Sequence, residues 1–398
     1  MSVPRPGGQQ GEVVSLGCRL NLAESERLRS MNIAGLVIVN SCSVTNEAVR
    51  QTRQAIRKAR RRNPDARLIV TGCAAQTERA ELAAMPEVDG LVANGAKLDP
   101  RSYNVPESKM SKSPGRTRAF IGVQTGCDHA CTFCSIPQGR GPSRSLDISA
   151  VRREVARALE AGAKEVVLAG VDLTGWGGDL PGQPALGTLV AALLGSFPDL
   201  GRLRLSSLDG VEIDPKLREL LACEPRIMPH IHLSLQHGAD LILKRMKRRH
   251  SRSDAIGLVS ALRARRPDIS VGADLIAGFP TEAEGHHAHN LSIIGELGIT
   301  HGHVFPYSPR AETPAARMPQ LPGATVKRRA AELRAACAKE RLTWLHTQIG
   351  RPAHVLVERG GRGYTENYAP VRVPTASVPG SIVNLTPQSL DPHTELLV

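Results

Sequence analysis

Aromatic side chains are scarce, with 2 Trp, 4 Tyr and 5 Phe in 398 residues. A many-ringed stacking platform for bases is therefore excluded, and any nucleic acid would be held through phosphates and a few specific contacts. The chain also lacks an apolar run long enough to cross a bilayer, and its opening MSVPRPGGQQ shows no charged-then-apolar leader. A soluble, cytoplasmic protein with no membrane partner is the expectation. Acidic residues are outnumbered, 38 Asp and Glu against 51 Lys and Arg, for a net charge of +13. Such a surface attracts polyanions, nucleic acid first among them.

The basic residues come in two runs. Arg50, Arg53, Arg57, Lys58, Arg60, Arg61 and Arg62 share one acid-free stretch, and Lys244, Arg245, Lys247, Arg248, Arg249 and Arg252 share another. One such run is commonly a solvated helix face; two of like sign favour phosphate contact.

Eight cysteines are present, placed more for metal binding in a reducing compartment than for a disulfide framework. Cys127, Cys131 and Cys134, in GCDHACTFCSIP, are spaced x3 and x2, with Phe133 beside the last. A four-iron cluster held by three thiolates keeps one iron open to a non-protein ligand. The alternative on spacing alone is a zinc knuckle completed by His129 or a distant fourth ligand. Cys18, Cys42 and Cys73 each end a strand-like run: EVVSLGC, AGLVIVNSC and ARLIVTGC. Ligands gather beyond the carboxyl ends of parallel strands, so these three would converge on a second cluster, although each taken singly reads as a small buried hydrophobe. Cys223 and Cys337 read as spectators.

Strand-like runs alternate with helix-like ones, which predicts an α/β fold with parallel sheets. Residues 1–100 read as an amino-terminal parallel α/β domain and 101–118 as a linker. Residues 119–340 read as a partial (β/α)6 barrel built on AFIGVQTG, EVVLAGVDL, RLRLSSLD, HIHLSLQHG, ISVGADLIAGFP and HGHVFPYSP. Residues 341–398 carry short alternating runs and read as a small carboxy-terminal β-barrel, a module that binds single-stranded nucleic acid or simply caps. The unusual residues follow barrel strands, on the working face. Phe133, Gly170, Ser206, Gln236 and Asp274 are the candidates for cofactor binding there. The glycines of AGVDLTGWGGD and GADLIAGFPTE either bring backbone amides close to a ligand or merely shape turns. His237 reads as structural or solvent-facing, with a site contact left open.

In order along the chain, SLGCRLNLAESE, VNSCSVTNEAVRQ, VTGCAAQTE, GCDHACTFCSIPQGRGPSRS and ERGGRGYTENYAPVRV resemble the radical S-adenosylmethionine (SAM) methylthiotransferases over nearly the whole length. The resemblance implies that Cys127, Cys131 and Cys134 bind a [4Fe-4S] cluster whose open iron chelates SAM. It implies an auxiliary [4Fe-4S] cluster on Cys18, Cys42 and Cys73, and a TRAM-like module at the carboxy terminus. No side-chain base removes the hydrogen on C2 of adenine, so the implied chemistry is reductive cleavage of SAM to a 5′-deoxyadenosyl radical. No catalytic side chain is assigned, because the chemistry is borne by the clusters. The short PSRS after Arg140 and Gly141, with NSCSVTNEA, resembles the branch acting on N6-threonylcarbamoyladenosine in the tRNA anticodon loop. The alternatives are the branches acting on isopentenyladenosine or a ribosomal protein, and a non-enzymatic iron-sulfur or zinc RNA-binding protein. A cellular reductant and a monomeric state complete the expectation. The short segment between Glu26 and AGLVIVNSC predicts a trimmed amino-terminal domain.

Overall fold

The computed structural model describes residues 11–31, 34–104, 117–391 and 393–398. Strands β1 (Glu12–Ser15), β2 (Leu36–Ser41), β3 (Arg67–Gly72) and β4 (Gly90–Leu91) form a parallel sheet in sequential order. β2 is buried along its whole length and β3 in all but its first residue, so the sheet needs cover on both faces. Helices α1 (Arg19–Ser30) and α2 (Asn46–Arg62), with the short α3 (Ala74–Thr77) and α4 (Arg79–Ala83), lie between the strands. The side chain of Thr45 caps α2 by accepting from the Ala48 amide, and Val49, Ile56 and Ala59 form the buried stripe of that helix. Beyond these, Tyr103 is buried in one apolar cluster with Leu36 and Ile69. The amino-terminal body thus continues past residue 100, and residues 105–116 of the expected linker lie outside the described residues.

The central body opens with β5 (Arg118–Gly122), β6 (Gln124–Thr125), α5 (Ile136–Arg140) and β7 (Arg144–Ser145). It continues through α6 (Ile148–Glu160), β8 (Glu165–Ala169), α7 (Leu186–Ser196), β9 (Leu203–Leu205), β10 (Ser207–Leu208) and α8 (Pro215–Cys223). β11 (His230–Gln236), α9 (Asp240–Arg245), α10 (Arg252–Arg265), β12 (Ser270–Ala277), α11 (Glu284–Leu297), β13 (Ile299–Pro306) and α12 (Gly323–His346) complete it. β5-β8-β9 and β10-β11-β12-β13 are parallel, and β9 and β10 are one strand interrupted at Ser206, so each of the six expected runs supplies one barrel strand. On β11 and β12, Ile231, Leu233, Leu235, Val271, Ala273 and Leu275 pack into the core shared with the helices. Strand alternation therefore turns His230, His232, Ser234, Gly272 and Asp274 toward the lumen. Among the described residues, no helix is long and apolar enough to cross a membrane.

Six short strands form the carboxy-terminal sheet: β14 (Ala353–Glu358), β15 (Arg362–Tyr364), β16 (Pro370–Arg372), β17 (Ile382–Leu385), β18 (Leu390–Asp391) and β19 (Leu396–Leu397). Glu165, fully buried on β8, docks this module onto the barrel. It takes Arg202 and Arg204 at 2.9 Å each and also pairs with Arg118. Arg202 in turn donates to the carbonyls of His354 and Thr365, and Arg118 pairs with Glu358 at 2.9 Å. Burial alone would raise the Glu165 carboxyl; the three guanidiniums outweigh it and bring it down to about 2.

Candidate iron-sulfur and substrate site

Cys18 caps α1, Cys42 directly follows β2 and Cys73 directly follows β3, so all three stand at the carboxyl edge of one parallel sheet. Gly17 has φ +89°, and a Cβ there would lie 2.7 Å from both Cβ and Sγ of Cys42. Only glycine lets the chain bearing Cys18 come so close to Cys42. Burial pushes the Cys42 thiol up to about 11, with repulsion from Cys73 and Cys18 adding to it. Burial likewise raises Cys73, against the pull of Arg140 and Lys97. Ionising these two buried sulfurs together is costly without a metal, and metal binding removes that cost.

A buried ionic network supports this edge from both domains. Arg140, at the end of α5, donates to Glu24 from Nη1 at 2.9 Å and from Nη2 at 3.0 Å, and to Thr125 at 2.9 Å. Lys97 pairs with the same carboxylate, and all three side chains are buried. Burial opposes the charge on Glu24, but Lys97 and Arg140 hold its carboxyl below the ordinary range.

Cys127, Cys131 and Cys134 occupy the 126–143 loop between the antiparallel pair β6 and β7. At Gly126, φ +75°, a Cβ would lie 1.8 Å from the Pro142 carbonyl oxygen, so this crossing of the loop requires glycine. Burial pushes Cys127 up to about 12 and Cys134 up to about 11. Arg248 places Nη1 3.5 Å from Cys131 Sγ, while its Nη2 donates to Asp209 at 2.8 Å and to the Ser234 carbonyl at 2.9 Å. The charge of Arg248 thus sits at the sulfurs, held there by the barrel.

His129, the residue a zinc knuckle would use, is engaged by two carboxylates. His129 Nε2 lies 3.0 Å from Asp172 and 3.6 Å from Glu212, and these hydrogen bonds push the imidazole up to about 10. Among the described residues, two groups have donor atoms all within 4.8 Å of one another, Cys127–His129–Asp172 and His232–Asp274–His303; neither cysteine triple is so tight. A lone tetrahedral zinc, with bonds of about 2.3 Å, would draw its sulfurs to about 3.8 Å apart.

Helix α5 joins the two sets. It starts two residues after Cys134, and at its far end a Cβ on Gly139 would lie 3.3 Å from Cys73 Cβ. Asn94 Nδ2 donates to the Gly139 carbonyl at 2.6 Å and lies 3.7 Å from Cys73 Sγ. Both cysteine sets therefore stand at the carboxyl ends of their strands, on either side of one five-residue helix.

The remaining expected residues are placed less uniformly. Phe133 packs edge-on to Phe279, centroids 6.5 Å apart, against an apolar cluster that includes Ile242 and Met246. Gly170 and Ser206 bond each other, amide to hydroxyl, at 3.3 Å. Gln236 ends β11 with φ +68°. Asp274 accepts from His232 at 3.0 Å and lies 3.3 Å from His303; burial opposes ionisation, but these two partners hold its carboxyl well below the usual range. His237 is fully buried, its Nδ1 accepting from the Ala239 amide at 3.0 Å and its Nε2 3.5 Å from Glu282, which makes it structural. Cys337 is buried against Gly302, and Cys223 lies exposed beside Arg265.

Most of the second basic run is paired within the fold. Arg245 binds Thr281, Arg248 and the exposed Arg249 bind Asp209, and Arg252 pairs with Glu296, while Lys244 and Lys247 are exposed with no carboxylate partner among the described residues. In the first run, Arg50, Arg57, Arg60 and Arg62 pair with Glu47, Glu87, Asp89 and Glu12. Glu47 lies on the same helix as Arg50, but the other carboxylates are brought by other elements and were not visible beside the charges.

Comparison with known proteins agrees with this geometry. The model of the radical SAM superfamily matches residues 121–291, and that of uncharacterized protein family UPF0004 matches residues 11–93. The chain is 45% identical over 382 residues to the threonylcarbamoyladenosine tRNA methylthiotransferase MtaB of Rickettsia prowazekii, covering 91% of each. It is 34% identical to the protein of the same description from Aquifex aeolicus, covering 90% of this chain and 95% of that one. The tRNA-2-methylthio-N(6)-dimethylallyladenosine synthase of Erythrobacter litoralis is 32% identical, with 88% and 86% covered. Among solved structures, the radical SAM methyltransferase TsrM of Kitasatospora setae superposes with a TM-score of 0.52 at 16% identity, covering 74% of this chain and 68% of that one, a likeness of fold alone. With such identity over nine tenths of both sequences, this chain belongs to the radical SAM methylthiotransferase family.

Proposed function

We propose that this protein converts N6-threonylcarbamoyladenosine beside the anticodon of tRNA to its 2-methylthio form. The observation that carries the reading is the convergence of two three-cysteine sets on α5, in a chain 45% identical over 382 residues to a threonylcarbamoyladenosine tRNA methylthiotransferase. Cys127, Cys131 and Cys134 hold the [4Fe-4S] cluster that binds SAM, and Cys18, Cys42 and Cys73 hold the auxiliary one. When bound, the clusters and SAM supply the electron, the radical and the sulfur that no side chain provides.

The chain's own residues position these groups. Arg248 sets a positive charge at the SAM-side sulfurs, and Arg140 and Lys97 set two at the auxiliary edge. Asp274 presents a polar group to the lumen, Gln236 stands at the carboxyl end of β11 as a further candidate for cofactor contact, and the Gly170–Ser206 bond and Phe133 brace the wall. The amino-terminal body, through Tyr103, serves as the auxiliary-cluster domain, 119–340 as the radical core, and 341–398 as the RNA-binding module. Arg53, Lys58 and Arg61 have no carboxylate partner among the described residues and, with Lys244 and Lys247, are available to tRNA phosphates. An anticodon-loop adenine is already unpaired, so little energy is spent exposing it. The protein works in the cytoplasm as a monomer fed by a cellular reductant.

Nucleoside mass spectrometry of a strain lacking the gene tests the reading. The 2-methylthio form of threonylcarbamoyladenosine should vanish while its unthiolated precursor accumulates. An unchanged pair, with loss of methylthio-isopentenyladenosine instead, would refute it.

A further inference from the structure

The lumen wall formed by β11, β12 and β13 is polar, in two layers. In the lower one, His230 and His301 face Tyr368 of the carboxy-terminal module, with ring centroids 4.8 and 6.2 Å away. One pleat nearer the strands' carboxyl ends, His232 and His303 share the Asp274 carboxylate, and Ser207 Oγ lies 3.5 Å from it. Gly272 makes room for this upper layer, since a Cβ there would lie 2.4 Å from His232 Nδ1. His303 is 54% exposed, and its Nε2 has no partner among the described residues.

Arg19 enters the same space from the other domain. It directly follows Cys18, and the next residue, Leu20, fits against Gly122 of β5, where a Cβ would lie 2.7 Å from Leu20 Cδ1. The Arg19 guanidinium carbon stands 6.0 Å from the centre of the Tyr368 ring. Among the described residues it meets no carboxylate and no hydrogen-bond acceptor. Its half-buried planar cation stands where the carboxylates of the surrounding wall are already taken, Asp274 by two imidazoles and Glu165 by three guanidiniums, so it is complementary to an incoming carboxylate.

We propose that Arg19 is the specificity residue that binds the carboxylate of the threonylcarbamoyl group, while the His232–Asp274–His303 layer receives the polar remainder of that group. The inference rests on the substrate proposed above. C2 and the carbon that bears N6 both adjoin N1 on one edge of the adenine, so a base with C2 at the sulfurs carries its N6 substituent close beside them, toward Arg19, the neighbour of Cys18, and the histidine layer. An isopentenyl group in that position would desolvate these polar groups and pair none of them, which is how a polar site rejects an apolar analogue.

The test uses anaerobically reconstituted full-length protein and two synthetic anticodon stem-loops, one carrying the threonylcarbamoyl group as its acid and one as its carboxamide. Arg19→Gln should raise KM for the acid roughly 10- to 100-fold, the loss of one charge-assisted hydrogen bond, and raise KM for the amide far less, so that the preference for the acid collapses. Arg19→Lys should restore most of the preference for the acid. Iron content and the electron paramagnetic resonance spectra of both clusters, unchanged in the variants, separate this effect from damage at Cys18. Undiminished preference for the acid in Arg19→Gln overturns the inference alone. A wild-type protein inactive on both stem-loops overturns the substrate reading, and this inference with it.

Discussion

Arg140 of the barrel grips both carboxylate oxygens of Glu24 in the amino-terminal domain, at 2.9 and 3.0 Å, with both side chains buried. Because Arg140 ends the helix that starts beside Cys134, this pair fixes the distance between the two cysteine sets. Lys97 shares the same carboxylate, so a single negative charge is the partner of two positive ones in a dry interior.

Removing that charge should be expensive. Glu24→Gln leaves two buried cations without a full partner and is expected to destabilise the protein by about 3–5 kcal/mol. Adding Lys97→Met should recover part of the loss, since one uncompensated charge is then removed. Denaturant melts of the single and double variants measure both effects; equal stabilities for Glu24→Gln and wild type would show that the pair is not coupled to the fold.

Gly17→Ala tests the auxiliary edge in isolation. The new methyl group would meet Cys42 at 2.7 Å on a backbone at φ +89°. Iron should fall from roughly eight atoms per chain to roughly four, with the signal of the SAM-side cluster retained. Full iron loading in this variant would mean that Gly17 does not shape the auxiliary site.

The Glu165 hub predicts acid sensitivity at the barrel floor. Its carboxyl is brought down to about 2 in the fold, against an ordinary value of 4.5. A group depressed in this way contributes stability that is fully present above pH 4.5 and is lost as pH falls through 4.5 toward 2. Melting temperature should therefore drop across that window. Glu165→Gln should flatten the drop and, at neutral pH, destabilise the protein by about 3–5 kcal/mol, since three guanidiniums lose their shared partner. An unaltered pH profile in Glu165→Gln would assign the acid loss elsewhere.

Much of this architecture was legible in the sequence because its strands are buried on both faces. Runs such as LVIVNS and RLIVTG stand out, and Cys42 and Cys73 mark where they end. The two-residue strand Gly90–Leu91 was not legible, being too short to show a period. Glu24 and Arg140 are 116 positions apart, and no local pattern joins them. The basic run from Lys244 to Arg252 looked like a phosphate surface because Asp209 and Glu296, which bind Arg248 and Arg252, arrive from other elements. Gly170 and Ser206 were correctly placed near strand ends, yet their direct bond to each other depends on the register of two neighbouring strands.

The division of labour between the cysteine sets is the centre of this account, and one experiment reads it directly. Wild-type protein, Cys131→Ala and Cys42→Ala, each confirmed as folded by circular dichroism, are incubated anaerobically with reductant, SAM and tRNA bearing threonylcarbamoyladenosine. Mass spectrometry then quantifies 5′-deoxyadenosine and the 2-methylthio nucleoside together. Wild type should make both, Cys131→Ala neither, and Cys42→Ala 5′-deoxyadenosine without the methylthio product. Loss of 5′-deoxyadenosine to the same degree in both folded variants would contradict the account.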